Sequence, residues 1–263
     1  MEGTATDAID AVARNTARVT TLLRSGLDPN QQIARSEWTI AELGSHLASG
    51  AAAYREMAEG GESPYDDLGA RAATNQARLE SVGERDLSAL AGVIDEELAS
   101  IVATSRGLPG DAVLRWHGGL TMPLRPYLGA MVGELVFHGQ DLARTVGRPW
   151  TIEQRDAHAV IDFVTFVTPH ILDPVKTRHL DARVEVRVRG YETSTFAFRD
   201  SQLTVLPGGG HRPEVTMSVA PVALVQVAYK RSSLTPPILT GKAVAWGRKP
   251  WIALQFPGFF QAP

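Results

Sequence analysis

The hydrophobic period of this chain changes once, and that change constrains the fold more than any other feature. Through the first two-thirds, apolar residues recur every three to four positions. Residues 6–24 place Ile9, Val12, Val19, Leu22 and Leu23 on one helical face, and Gly26 follows as a stop. In the last third the period falls to two. Val184, Val186 and Val188 alternate with Glu185 and Arg187, and Phe196 and Phe198 alternate likewise. A chain that switches from helical to strand patterning near 172–180 (LDPVKTRHL) is read as two domains. The first, residues 1–172, is a helical bundle, and the second, 180–263, is a small α+β domain.

Local signals refine this. Thr39 with Glu42 forms a capping box, preceded by Trp38, which can staple onto Leu43. The helix it opens should run from about Ile40 to Met57. Residues 60–70 read as a loop. A third helical region starts near Arg71, weakens at Gly83 and resumes after Asp86, until GLPGD ends it. WHGGLTMP reads as a turn-rich connection. Pro126 suits the first turn of a helix reaching about Thr145. The run 151–154 (TIEQ) reads as a second capping box, opening a helix to roughly Ile171. QLTVL and EVTMSV read as strands with PGGG (207–210) as the turn between them, and APVALVQVAYK reads as a helix.

Composition excludes several classes of function. Net charge is −3, which gives no general attraction to nucleic acid or anionic lipid. No run approaches the length of an uncharged transmembrane helix, and the N-terminus lacks the apolar core of a secretory signal. The expected compartment is the cytoplasm. There are no cysteines, so disulfides, thiolate ligands and a cysteine nucleophile are excluded, and any thiol must come from outside. G-x-S-x-G, H-E-x-x-H, Walker and G-x-G-x-x-G motifs are all absent.

One stretch, GELVFHGQDLAR (133–144), does carry chemistry. Glu134 and His138 lie one turn apart on the side where Leu135, Val136 and Leu142 mark the core. His46 is a second intruder, between Leu43 and Leu47 on another apolar face. A buried carboxylate is costly unless paired. One histidine plus an E-x-x-x-H pair supplies three ligands and leaves a fourth position open, as catalytic zinc sites do. Each signal alone also has a bland reading, as a core histidine or a solvated i, i+4 pair. Asp141 could orient a ligand imidazole or pair with Arg144. His117 is an alternative ligand on a turn, while His158, His170, His179 and His211 read as surface residues.

The segments W38-T-I-A-E-L-G-S-H46-L and G133-E-L-V-F-H138-G-Q-D141-L-A-R144 resemble the two signature segments of the mycothiol-dependent maleylpyruvate isomerase family, within the wider DinB-like metal-binding bundles. The resemblance covers roughly residues 5–172. It implies an α+β two-domain fold: a DinB-like up-down four-helix bundle followed by a smaller domain similar to sterol-carrier-protein-2 folds. It further implies a divalent metal, usually zinc, on His46, Glu134 and His138, and a low-molecular-weight thiol cosubstrate such as mycothiol. The expected partners are that thiol and a small electrophile, acted on by S-transfer or cis–trans isomerisation in a monomer or homodimer. A basic residue of the second domain holds the acidic substrate in the isomerases, and Lys230 and Arg231, after an apolar helix, are the candidates here. Arginine makes up 22 of the 26 basic residues, which suits a high-GC actinobacterial source. Two other readings stay open. One is a non-enzymatic binder of apolar ligands; the other is a thiol-independent metallohydrolase on the same bundle.

Overall fold

In a computed structural model, which describes residues 4–64, 71–81 and 83–261, the chain forms two compact units. The first spans Thr4–Ile152 and the second begins at Glu153. The loop expected over 60–70 lies partly outside the described residues.

Four long helices build the first unit: α1 (Ala5–Leu23), α2 (Ile40–Ala58), α4 (Leu87–Gly107) and α5 (Leu124–Thr145), with α3 (Arg71–Ser81) beside α2. Their starts are fixed by side chains that satisfy the orphan N–H groups of the first turn. Thr4 and Asp7 form a reciprocal capping box on α1, as do Thr39 and Glu42 on α2. Asp86 accepts from the N–H groups of Ser88 and Ala89 on α4. Helix α1 packs on α4 and α5, and α2 packs on α4. The α2–α5 seam is the looser one, with fewer close backbone approaches. The connection read as turns is in fact a small hairpin: β1 (Val113–Arg115) pairs antiparallel with β2 (Thr121–Pro123). Strands of three residues are too short to show a period.

The second unit starts with α6 (Gln154–Val167). That helix was expected to close the bundle. Instead it packs against α8 (Pro221–Ala228), so the division falls at Ile152 and not near 172. Nor does TIEQ form a capping box: Glu153 is the N-cap and makes no side-chain cap bond. A short α7 (Pro174–Thr177) leads to the sheet. The order is β5 (Gln202–Pro207), β4 (Thr193–Arg199), β3 (Ala182–Val188), β6 (Val215–Val219), β7 (Ala243–Gly247). All neighbours are antiparallel except β3 and β6. PGGG therefore does not turn β5 back onto β6; it begins the passage across to the other side of β3. Helices α9 (Thr235–Leu239) and α10 (Trp251–Gln255) follow α8, with β7 between them. Phe196 and Phe198 of β4 pack edge-on against Phe256, and Phe198 also meets Phe259.

Glu185 departs from the alternation. It should face solvent, yet its side chain is only 1% exposed. Gly210 donates its N–H to Glu185 Oε2 at 2.9 Å, and Arg187 ion-pairs with Oε1 at 2.6 Å. A Cβ on Gly209 would lie 2.7 Å from Oε2. The glycine run thus wraps a buried carboxylate that only bare backbone can approach so closely.

Candidate metal centre

His46 lies on α2, and Glu134 and His138 lie on α5, across the loose seam. Both imidazole Nε2 atoms stand 3.2 Å from the same carboxylate oxygen, Glu134 Oε2. One potential ligand atom from each residue falls within 4.8 Å of the other two, and no other such group of three occurs among the described residues. The His46 and His138 side chains are 12% and 18% exposed, whereas Glu134 retains 42%. The Glu134 side chain is thus the most exposed of the three, although its carboxyl end lies between the two rings.

Burial and the mutual contacts shift two of the three groups. Burial disfavours charge on His46 and lowers its pKa below 6.5, outweighing the pull of Glu134. Burial would raise Glu134, but hydrogen bonds to His138 and His46 hold its carboxyl well below 4.5. A neutral imidazole and an ionised carboxylate are the ligating forms.

The site contains a residue that sequence reasoning assigned to another task. Trp38, expected as a helix staple, has its ring centroid 4.9 Å from that of His46 and 6.1 Å from that of His138. The histidine rings meet edge-on at 4.9 Å. The available signal was the spacing of Trp38 and His46, about two helical turns. Asp141 is buried on α5, and its carbonyl accepts from the Thr145 hydroxyl at 2.9 Å. Gly139 admits a neighbour: Trp150 packs directly on its Cα, and Arg18 stacks 3.9 Å over the same indole. His117 is not in the ligand group. It is buried beside Trp116, with Nδ1 2.8 Å from the Ser63 hydroxyl. His158, read as a surface residue, is half-buried and stacks 4.2 Å from Tyr191. Lys230 and Arg231 follow α8 in the second unit and are exposed, with Lys230 at φ 55°. Among the described residues no helix is long and apolar enough to cross a membrane.

Fold and site together define a class: a helical bundle with a candidate His–Glu–His metal centre, joined to a small α+β domain. The family model described as the mycothiol maleylpyruvate isomerase N-terminal domain matches residues 9–143, a span that holds all three candidate ligands, and the chain belongs to that family. A crystal structure of the mycothiol-dependent maleylpyruvate isomerase is 18% identical, with a TM-score of 0.53, over 87% of this chain and 90% of that one. A histidine-to-alanine mutant of that enzyme matches over the same shares at 18% identity and a TM-score of 0.54. At this identity the likeness speaks for the fold alone. No curated protein sequence matches this chain.

Proposed function

We propose that the chain is a thiol-dependent isomerase or S-transferase that acts on a small electrophile and holds a divalent metal, zinc in the first instance, on His46, Glu134 and His138. The observation that carries this reading is the convergence of two imidazole nitrogens on one carboxylate oxygen at 3.2 Å each. The donor set fits the ion: bonds of about 2.0–2.1 Å in a tetrahedron put ligand atoms about 3.3 Å apart. Three protein ligands leave a position for a cosubstrate. Bound there, a divalent ion supplies Lewis acidity and favours a thiol's thiolate form.

The chain's own residues do the rest. Glu134 would enter as the ionised carboxylate, and His46, held neutral by burial, as an imidazole. Trp38 covers the two imidazoles and keeps water from that side. The chain has no thiol of its own, so the nucleophile is a free cosubstrate, mycothiol by family membership. Addition of its sulfur to an activated cis double bond leaves a single bond that can rotate. Loss of the same thiolate then restores the double bond in trans geometry.

The test is elemental analysis of protein purified without chelator, followed by turnover with and without added thiol. About one zinc per chain is expected, falling below about a tenth in His46→Ala and Glu134→Ala, with turnover only when thiol is present. Metal-free wild-type protein, or turnover that ignores thiol, contradicts the reading.

A further inference from the structure

We propose that strand β7 and the two short helices beside it, α9 and α10, form a surface that docks on an anionic phospholipid membrane. The surface belongs to the second unit alone and its test holds whether or not the triad binds metal.

Strand register shows that the core does not account for β7. Val244 stands opposite Ser218 and Trp246 opposite Thr216, and these in turn stand beside Arg187 and Glu185 of β3. That is the polar face of the sheet, while the valines of β3 line the other, buried face. β7 thus departs from its neighbours and turns its two largest apolar side chains away from the core. Arg187 approaches the Trp246 ring at 5.6 Å, yet Val244 and Trp246 each remain 46% exposed. The flanking helices add Leu239, 80% exposed, on one side, and Trp251 and Leu254, 55% and 62% exposed, on the other. Among the described residues the remaining exposed large apolar side chains, Ile238 apart, are three valines scattered along the chain.

Charge is as uneven as hydrophobicity. Residues 215–263 hold five basic side chains and no acidic one, although the whole chain carries −3. Arg248 is paired with Glu214 at 2.7 Å, whereas Lys242 and Lys249 are exposed and bracket β7 at its two ends. Protruding tryptophan and leucine set between lysines match a bilayer surface. The apolar groups enter the headgroup boundary, and the cations meet anionic headgroups.

A second copy fits less well. β7 is an edge strand with β6 as its one neighbour, and AVAWG carries neither the charge nor the proline that blunts such edges. Antiparallel self-pairing about Ala245 would set Lys242 of each copy against Arg248 of the other, like charge on like. An acidic polypeptide would satisfy the lysines, but peptide sites draw side chains into grooves, and here the apolar side chains stand out.

The experiment is co-sedimentation of full-length protein with vesicles of phosphatidylcholine, alone or mixed with phosphatidylglycerol. Wild type should bind the mixed vesicles, release them as salt is raised, and bind the neutral ones about tenfold more weakly or worse. Lys242→Gln/Lys249→Gln should weaken binding to mixed vesicles about thirtyfold, roughly fivefold per lysine. Trp251→Ser/Leu254→Ser should weaken it by about tenfold or more and reduce the blue shift of tryptophan emission that vesicles induce. Both variants should melt like wild type, because the changed side chains are exposed. The inference is overturned if wild type ignores the mixed vesicles or if either variant binds them like wild type. Equal, lysine-dependent binding to soluble polyglutamate that the apolar change leaves intact would assign the surface to an acidic polypeptide instead. A dimer by light scattering that Trp251→Ser/Leu254→Ser dissociates would assign it to a second copy, and either result overturns the membrane.

Discussion

Gly139 follows a candidate ligand and lies under the Trp150 indole. A Cβ added there would fall inside the ring's contact distance, 2.9 Å from Cε2 and closer still to the neighbouring carbons. Arg18 stacks on Trp150, with its guanidinium 3.9 Å from the ring centroid, and also donates to the Thr151 carbonyl at 2.9 Å. The indole therefore cannot shift without disturbing that stack. Alanine is the better helix former by about 1 kcal/mol, but overpacking costs about 1–3 kcal/mol, and the clash should win. Gly139→Ala is expected to lower the urea midpoint. It should also weaken zinc binding, since His138 is the adjacent residue on the displaced turn. A midpoint at or above wild type would show that the indole moves freely. The partner of this glycine was not legible, because nothing in a sequence pairs position 139 with 150. The same holds for Trp38. Its role as a cap neighbour is local and readable, while its packing on two histidines depends on α5 arriving across the seam.

Elements with strong ends were the most legible. The start of α2 was readable because Thr39 and Glu42 act within one turn, and the structure forms both halves of that box. Thr39→Ala should cost about 1 kcal/mol. Because Trp38 precedes the cap, it should also loosen the packing on His46. A chelator-competition assay is the check, with weaker zinc retention than wild type as the expected result. Strand β7 was not legible: only Ala243 of its five residues is buried, so AVAWG has no alternation to read. Strand β3 was read correctly as a strand, but with Glu185 facing solvent. Its burial depends on PGGG folding over it, a contact between residues far apart in the chain. Burial would raise the Glu185 carboxyl, yet the Gly210 N–H and Arg187 hold it below the ordinary 4.5. A depressed carboxyl stabilises the fold fully above pH 4.5, and that contribution is lost as pH falls through the folded-state value. Glu185→Gln should therefore cost about 1–3 kcal/mol at neutral pH, and the gap to wild type should narrow below pH 4.5. Thermal melts across pH 3–7 check this. A gap that stays constant with pH would mean that shape, and not charge, is what the glycines hold.

At the scale of the molecule, the two-part architecture was legible from the change of period, but the point of division was not. The apolar stripe of α6 reads the same whether it faces a bundle or a sheet domain. Ala157, Ala159, Val160, Ile161 and Phe163 are buried either way, and only tertiary packing shows that α8 is a partner. This difference has a consequence in solution. All three candidate ligands lie in Thr4–Ile152, and the helices that hold them pack among themselves. A chain ending at Ile152 should fold and bind about one zinc. A chain ending at Leu172 would carry α6 without α8, leaving an apolar face of several hundred Å² exposed, of the size that drives association. The shorter fragment is thus expected to be the better behaved, monomeric by light scattering with zinc bound, while the longer one aggregates or self-associates. If the longer fragment proves monomeric and the shorter one loses zinc, then α6 belongs to the bundle, and the division at Ile152 does not describe how the chain folds.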